Sequence, residues 1–139
     1  MDTISLSGKI AQWVLELQYE DIPEVSIKEA KRFLLDSMGC ALAAVKNEDM
    51  AAMYRFHEKL GGIPEASVIG QEAKTNASNA ALMNCLLTRA LDYNDIYWEE
   101  DPSHPSDLIG AALAAGEANA KNGKEVLEAI VIDYELMLR

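Results

Sequence analysis

The chain has 139 residues, half of them apolar and a quarter charged, enough for one domain with a core of its own. Its net charge of -11 offers polyanions nothing to bind, which excludes nucleic acid and anionic membrane surfaces as partners. No apolar run approaches the roughly 20 residues that cross a bilayer. The opening MDTISLSGKIAQ has no basic stretch followed by an apolar one, so a cytoplasmic protein is expected.

Apolar residues recur at helical spacing, and the fold class expected is all-α: about six packed helices with one very short extended segment. The first helix spans residues 7–18, with Ile10, Ala11, Val14, Leu15 and Leu17 on its inner face. The second starts at a capping box, Ser26 with Glu29, behind a possible staple at Val25, and continues to about residue 45. Gly39 in its middle predicts a close neighbour, since glycine otherwise weakens a helix. Cys40 there, and Cys85 further on, lie in apolar stretches without CxxC spacing and read as buried free thiols.

Asn47 caps a third helix, EDMAAMYRFHEKL, which stops at Gly61 and Gly62, with His57 as a rim residue rather than a ligand. Between Pro64 and Gly70, EASVIG is the one convincing extended stretch. Asn76 or Ser78 opens a fourth helix, and Ser106 a fifth, with Pro105 just outside it and Asp107 in its positive first turn. The fifth runs through LIGAALAAGEANAKN to a stop at Gly123, and its lack of bulk suits a central helix crowded by neighbours. The last segment, KEVLEAIVIDYELMLR, is apolar nearly all round and shows no stop signal. It predicts that residues 1–139 are part of something larger or that a partner covers this helix; the alternative is a self-contained small bundle.

The segment from Leu91 to Asp107, LDYNDIYWEEDPSHPSD, holds six carboxylates and one histidine without Lys or Arg. Residues 92–139 carry a charge balance of -8, so most of the acidic excess lies there. Three readings compete for the loop. It is a solvated acidic connection; or Asp92, Asp95, Asp101 and His104 ligate a divalent metal, although the spacing matches no EF-hand or zinc pattern; or it is catalytic. In the third reading His104 precedes a helix N-terminus, where free N–H groups favour a substrate carboxylate. Its imidazole moves a proton or hydrogen-bonds there, while Asp92 orients the histidine or the substrate. Pro102 and Pro105 stiffen the approach.

NASNAALMNCLLTRALDYND, then HPSD, a small-residue helix and a closing DYELMLR resemble the N-terminal part of the MmgE/PrpD family, and LLDSMGCALAA and ASVIG resemble its opening segments. The family includes 2-methylcitrate dehydratase, cis-aconitate decarboxylase and iminodisuccinate epimerase. The resemblance implies a portion of a mostly helical domain, completed by chain beyond Arg139 and a separate lid. It also implies a homodimer that needs no metal or organic cofactor and acts on a small di- or tricarboxylate. It places Asp92 and His104 in the active site, with Asp95 a weaker neighbour; Ser106 is carried as a further substrate contact. Many relatives have Thr after DYND, where this chain has Ile96, which leaves the substrate open.

The family's reactions develop negative charge beside a carboxylate and need a cation. Residues 90–120 contain no Lys or Arg to supply it, and the resemblance implies that a lysine and further histidines come from beyond Arg139. The expected function is that of a lyase that eliminates water from 2-methylcitrate, with decarboxylation of cis-aconitate or epimerisation as alternatives and residues 1–139 inactive by themselves. A helical binding or dimerisation module, using the apolar face of the last helix, is the reading of another class.

Overall fold

Four of the six helices begin at a side chain that accepts an otherwise orphaned backbone N–H: Ser5, Asn47, Asn76 and Asn122. The computed structural model describes residues 4–99 and 102–139. In it, α1 spans Leu6–Glu16, α2 Glu24–Ala44, α3 Glu48–Leu60, α4 Ala77–Arg89, α5 Ile109–Ala118 and α6 Gly123–Met137. Two short antiparallel hairpins pair β1 (Ala66–Ser67) with β2 (Lys74–Thr75) and β3 (Tyr97–Trp98) with β4 (Pro102–Ser103). The all-α class holds, and no helix among the described residues is long and apolar enough to cross a membrane.

Two apolar clusters make the core. In the first, Ala41 and Ala44 of α2, Met50 and Tyr54 of α3, Met83 and Leu87 of α4 and Ala114 of α5 surround Ala66 and Val68. The second joins Ile27 and Ala30 of α2, Ile109 and Ala112 of α5, and Leu127 and Ile130 of α6. Helix α5 belongs to both, and its small residues explain how. A Cβ built on Gly110 would stand 2.7 Å from the backbone nitrogen of Cys85 and 2.8 Å from its sulfur, so α4 and α5 meet backbone to backbone. The crowded central helix read from the sequence is found here.

Several starts and stops differ from expectation. Helix α2 begins two residues before Ser26, because the Pro23 carbonyl already accepts the N–H groups of Ser26 and Ile27 at 2.9 and 3.1 Å. Ser26 thus lies within the helix, Glu29 pairs with Arg32 instead of closing a box, and Val25 stays exposed. Helix α5 ends at Ala118, well before Gly123. Lys121 N–H bonds the Gly116 carbonyl and Ala120 N–H that of Glu117, a Schellman closure with Ala120 at φ 51°. An alanine in that left-handed position gives no sequence signal.

Helix α1 buries none of its residues; Leu15, on the face expected to point inward, is 81% exposed. At Gly39 no described atom lies within 4 Å of the place a Cβ would take, so nothing among the described residues exploits its missing side chain. On α6 only Leu127 and Ile130 are buried, while Leu136 and Met137 are exposed. Cys40 is buried and Cys85 partly so; both are free, and burial pushes both thiols up. His57 is no rim residue. It is 8% exposed, and its Nδ1 has no hydrogen-bonding partner among the described residues.

The first hairpin is fastened to the helices by polar side chains. Asn84 accepts from Ile69 N–H at 2.9 Å and donates to the Ser67 carbonyl at 3.0 Å, and Tyr54 donates to the Ile69 carbonyl at 2.7 Å. Glu117 accepts from Ser67 N–H at 2.7 Å and from its hydroxyl at 2.8 Å, and meets Lys74 at 2.6 Å. Lys74 first, then the Ser67 N–H, hold the Glu117 carboxyl at about 2. A depressed carboxyl stabilises the fold above its ordinary value of 4.5, and that stabilisation is lost as pH falls from there toward 2. Glu117→Gln is therefore expected to lower stability by about 1–2 kcal/mol at pH 7, a figure already reduced for solvent screening. Urea unfolding checks this: the deficit should shrink as pH drops below 4.5, and a deficit that does not change with pH would refute the assignment.

Candidate active site

Chain reversal at the end of α4 creates the site. Asp92 N–H closes a final turn on the Arg89 carbonyl at 3.0 Å, and Asp92 itself adopts φ 51°. Aspartate tolerates this left-handed conformation better than most residues. The reversal brings the Asp92 carboxylate onto the Arg89 guanidinium, where the two pair. That hydrogen bond, then the charge of Arg89, holds the Asp92 carboxyl below its usual range. Asp92 is 79% exposed and bonds Arg89; His104 acts on it only through its charge. Asp92, expected to orient the histidine or the substrate, is instead paired with Arg89.

Arg89 corrects a larger expectation. It lies one residue outside the stretch without cations, yet the reversal carries the loop back over it. Its Nη1 also approaches Asn94 Oδ1 at 3.4 Å, and Asn94 donates onward to the Ser106 hydroxyl at 2.8 Å and to Asp107 at 3.1 Å. Burial pushes the Asp107 carboxyl up, against the opposing charges of Arg89 and His104. The chain does place a cation against its own loop, at the end of α4, and Asn94 links it to Ser106 and Asp107.

His104 leads into a 3-10 turn, Pro105–Leu108, which runs directly into α5. Ser106 is therefore not a helix cap. It is fully buried, and its hydroxyl accepts from Asn94, so it lies inside the fold and not on a substrate-facing surface. Nor is the mouth of the turn open to an anion, because Asp95 fills it. Asp95 Oδ1 accepts from the Ser106 N–H at 3.1 Å, and Oδ2 accepts from the Tyr134 hydroxyl at 2.8 Å. Both oxygens are engaged within the fold.

The Asp95 backbone carbonyl meets His104 Nδ1 at 2.6 Å. A carbonyl oxygen only accepts, so Nδ1 carries the hydrogen, and in the neutral imidazole Nε2 is left with the lone pair. The ring is half buried. Tyr97 and Trp98 pair with Ser103 and Pro102 in the short ladder just before it. Ile96 is exposed.

The carboxylates weighed as metal ligands are committed elsewhere: Asp92 to Arg89, Asp95 to Ser106 and Tyr134. Asp101 lies outside the described residues, and among those described no three His, Cys, Asp or Glu side chains gather in a metal-holding group. Sequence reasoning missed Arg89, Asn94 and Tyr134. The spacing of Arg89 three residues before Asp92 was a usable signal for the first; nothing in the sequence pairs Tyr134 with Asp95.

Framework and loop together define a helical domain whose fourth and fifth helices are joined by an acid–base cluster with a guanidinium inside it. A profile of the MmgE/PrpD N-terminal domain matches residues 8–139, and the chain belongs to that family. It is 29% identical to the cis-aconitate decarboxylase-like protein oryM of Aspergillus oryzae, over 94% of this chain and 29% of that protein. Similarity to the cis-aconitate decarboxylase of Aspergillus terreus is 27%, covering 94% and 28% of the two chains. The probable 2-methylcitrate dehydratase of Saccharomyces cerevisiae is 28% identical over 91% of this chain and 27% of its own length. The chain thus spans less than a third of the length of these relatives.

Proposed function

We propose that this chain supplies the His104 side of a lyase site for a small di- or tricarboxylate, with elimination of water from 2-methylcitrate as the reaction. The observation that carries the reading is the His104 Nδ1 hydrogen bond to the Asp95 carbonyl, which leaves the Nε2 lone pair as a base in the same loop that the Arg89 guanidinium pairs with through Asp92. Nε2 takes the proton from the carbon next to a substrate carboxylate. The electron pair moves onto that carboxylate, and expulsion of hydroxide from the neighbouring carbon forms the double bond. Arg89 binds that carboxylate in substrate and transition state alike, exchanging part of its contact with Asp92 for the substrate. Asp92 holds the guanidinium in place before substrate arrives.

Relatives named for 2-methylcitrate dehydration and for cis-aconitate decarboxylation match at nearly equal identity, 28% and 27%. Both reactions place charge beside a carboxylate; if carbon dioxide leaves in place of water, the electron pair comes from the broken carbon–carbon bond, Arg89 keeps its role, and His104 in its protonated form delivers a proton to the carbanion instead of removing one. The test is turnover by the intact protein, following the new double bond by ultraviolet absorbance with 2-methylcitrate and carbon dioxide release with cis-aconitate. Arg89→Gln is expected to raise KM at least about tenfold, the loss of one charge-assisted contact. Absence of turnover with either acid, or an unchanged KM in the variant, would sink the proposal.

A further inference from the structure

Among the described residues, what holds the His104 ring is one backbone carbonyl, and the residue that owns it is anchored from two directions. The Asp95 side chain is tied on one oxygen to the Ser106 N–H at 3.1 Å and on the other to the Tyr134 hydroxyl at 2.8 Å. Between these ties, its own carbonyl receives His104 Nδ1 at 2.6 Å. The peptide that orients the imidazole therefore cannot tilt without stretching a bond to α6 or a bond to the turn before α5.

Tyr134 is built to stay in place. Its ring stacks on Phe33 of α2, with centroids 5.1 Å apart and planes inclined by 29°, and the Arg32 guanidinium lies over the Phe33 ring at 4.4 Å from its centroid. The phenol is half buried, and burial together with the Asp95 hydrogen bond pushes its ionisation up, so it remains a donor across the range in which an imidazole titrates. One side of the same ring lines a groove of about 490 Å³ between α2 and α6. The hydroxyl reaches past that groove to the loop 39 residues away in sequence.

We infer that Tyr134 and Asp95 are positioning residues: the hydrogen bond from the Tyr134 hydroxyl to Asp95 fixes the peptide whose carbonyl selects the Nδ1–H tautomer of His104 and directs Nε2 outward. This rests on the reading of His104 as the proton-transfer group. It deepens that reading by assigning the tautomer to a residue on α6, outside the loop that carries His104. Comparable partners that set a histidine tautomer are worth about 10–100-fold in function.

The first measurement needs no variant. Nitrogen-15 shifts of His104 in histidine-labelled intact protein are expected to show the proton on Nδ1; a proton on Nε2 would overturn the inference at once. In Tyr134→Phe, which keeps the stack on Phe33 and loses only the hydroxyl, the two tautomers are expected to mix. There kcat should fall about 10–100-fold with little change in KM. Asp95→Asn should act in the same direction, and serves if Tyr134→Phe does not fold. Lowered thermal stability with tautomer and kcat unchanged would mean that the bond is merely structural, and would refute the inference while leaving His104 in its role. If His104→Gln itself retains full activity, the functional reading fails first, whatever the tautomer.

Discussion

His104→Gln in the intact protein is expected to lower kcat by about 10²–10⁴-fold, the range that a positioned general base contributes. Glutamine keeps a side-chain amide within reach of the Asp95 carbonyl, so the loop retains a partner for that oxygen while losing the lone pair that moves the proton. Circular dichroism should be unchanged, which separates loss of chemistry from loss of fold. Steady-state kinetics at saturating substrate decide the matter: a kcat within about twofold of the parent would remove His104 from the reaction. The variant is also informative beside Arg89→Gln, because a base acts chiefly on kcat and a carboxylate-binding cation chiefly on KM.

The second large effect concerns stability, and it takes opposite signs at two glycines. Gly110→Ala is expected to destabilise the chain by about 2–3 kcal/mol, and Gly110→Val by more, because the new Cβ would meet backbone atoms of α4 at 2.7 and 3.0 Å. Backbone cannot swing aside as a flexible side chain does; relief requires α4 and α5 to separate across both core clusters. Gly39→Ala, also within a helix but with open space around it, is expected to stabilise by about 0.5–1 kcal/mol. Chemical unfolding of the two single variants checks this. Equal effects, or a tolerated Gly110→Val, would mean that the contact between α4 and α5 is looser than described.

Sequence signals were sound where the chemistry is local. Asn47 and Asn76 each bond an N–H two or three residues ahead, and such short-range donors and acceptors can be read from spacing. The signals failed where a local motif competed with something unmarked. Ser26 and Glu29 have the form of a capping box, yet the Pro23 carbonyl starts the hydrogen-bond ladder before Ser26 can act. β2 and β4, at two residues each, are too short to show alternation. The apolar face of α1 predicted burial by periodicity alone, and none of its residues is buried in this chain.

The candidate site divides along the same line. From the sequence by itself came the family, the helical class and the neighbourhood of Asp92 and His104, because these rest on residue types and short spacings within one loop. Which groups touch was decided by tertiary structure. Arg89 enters because the chain reverses at Asp92; Asp95 turns inward because Ser106 N–H and Tyr134 are both within its reach; and His104 takes its proton on Nδ1 because a carbonyl faces it. Hydrogen bonds between residues 9 to 39 positions apart depend on how helices pack, and packing distances are written in no stretch of sequence short enough to read as a motif.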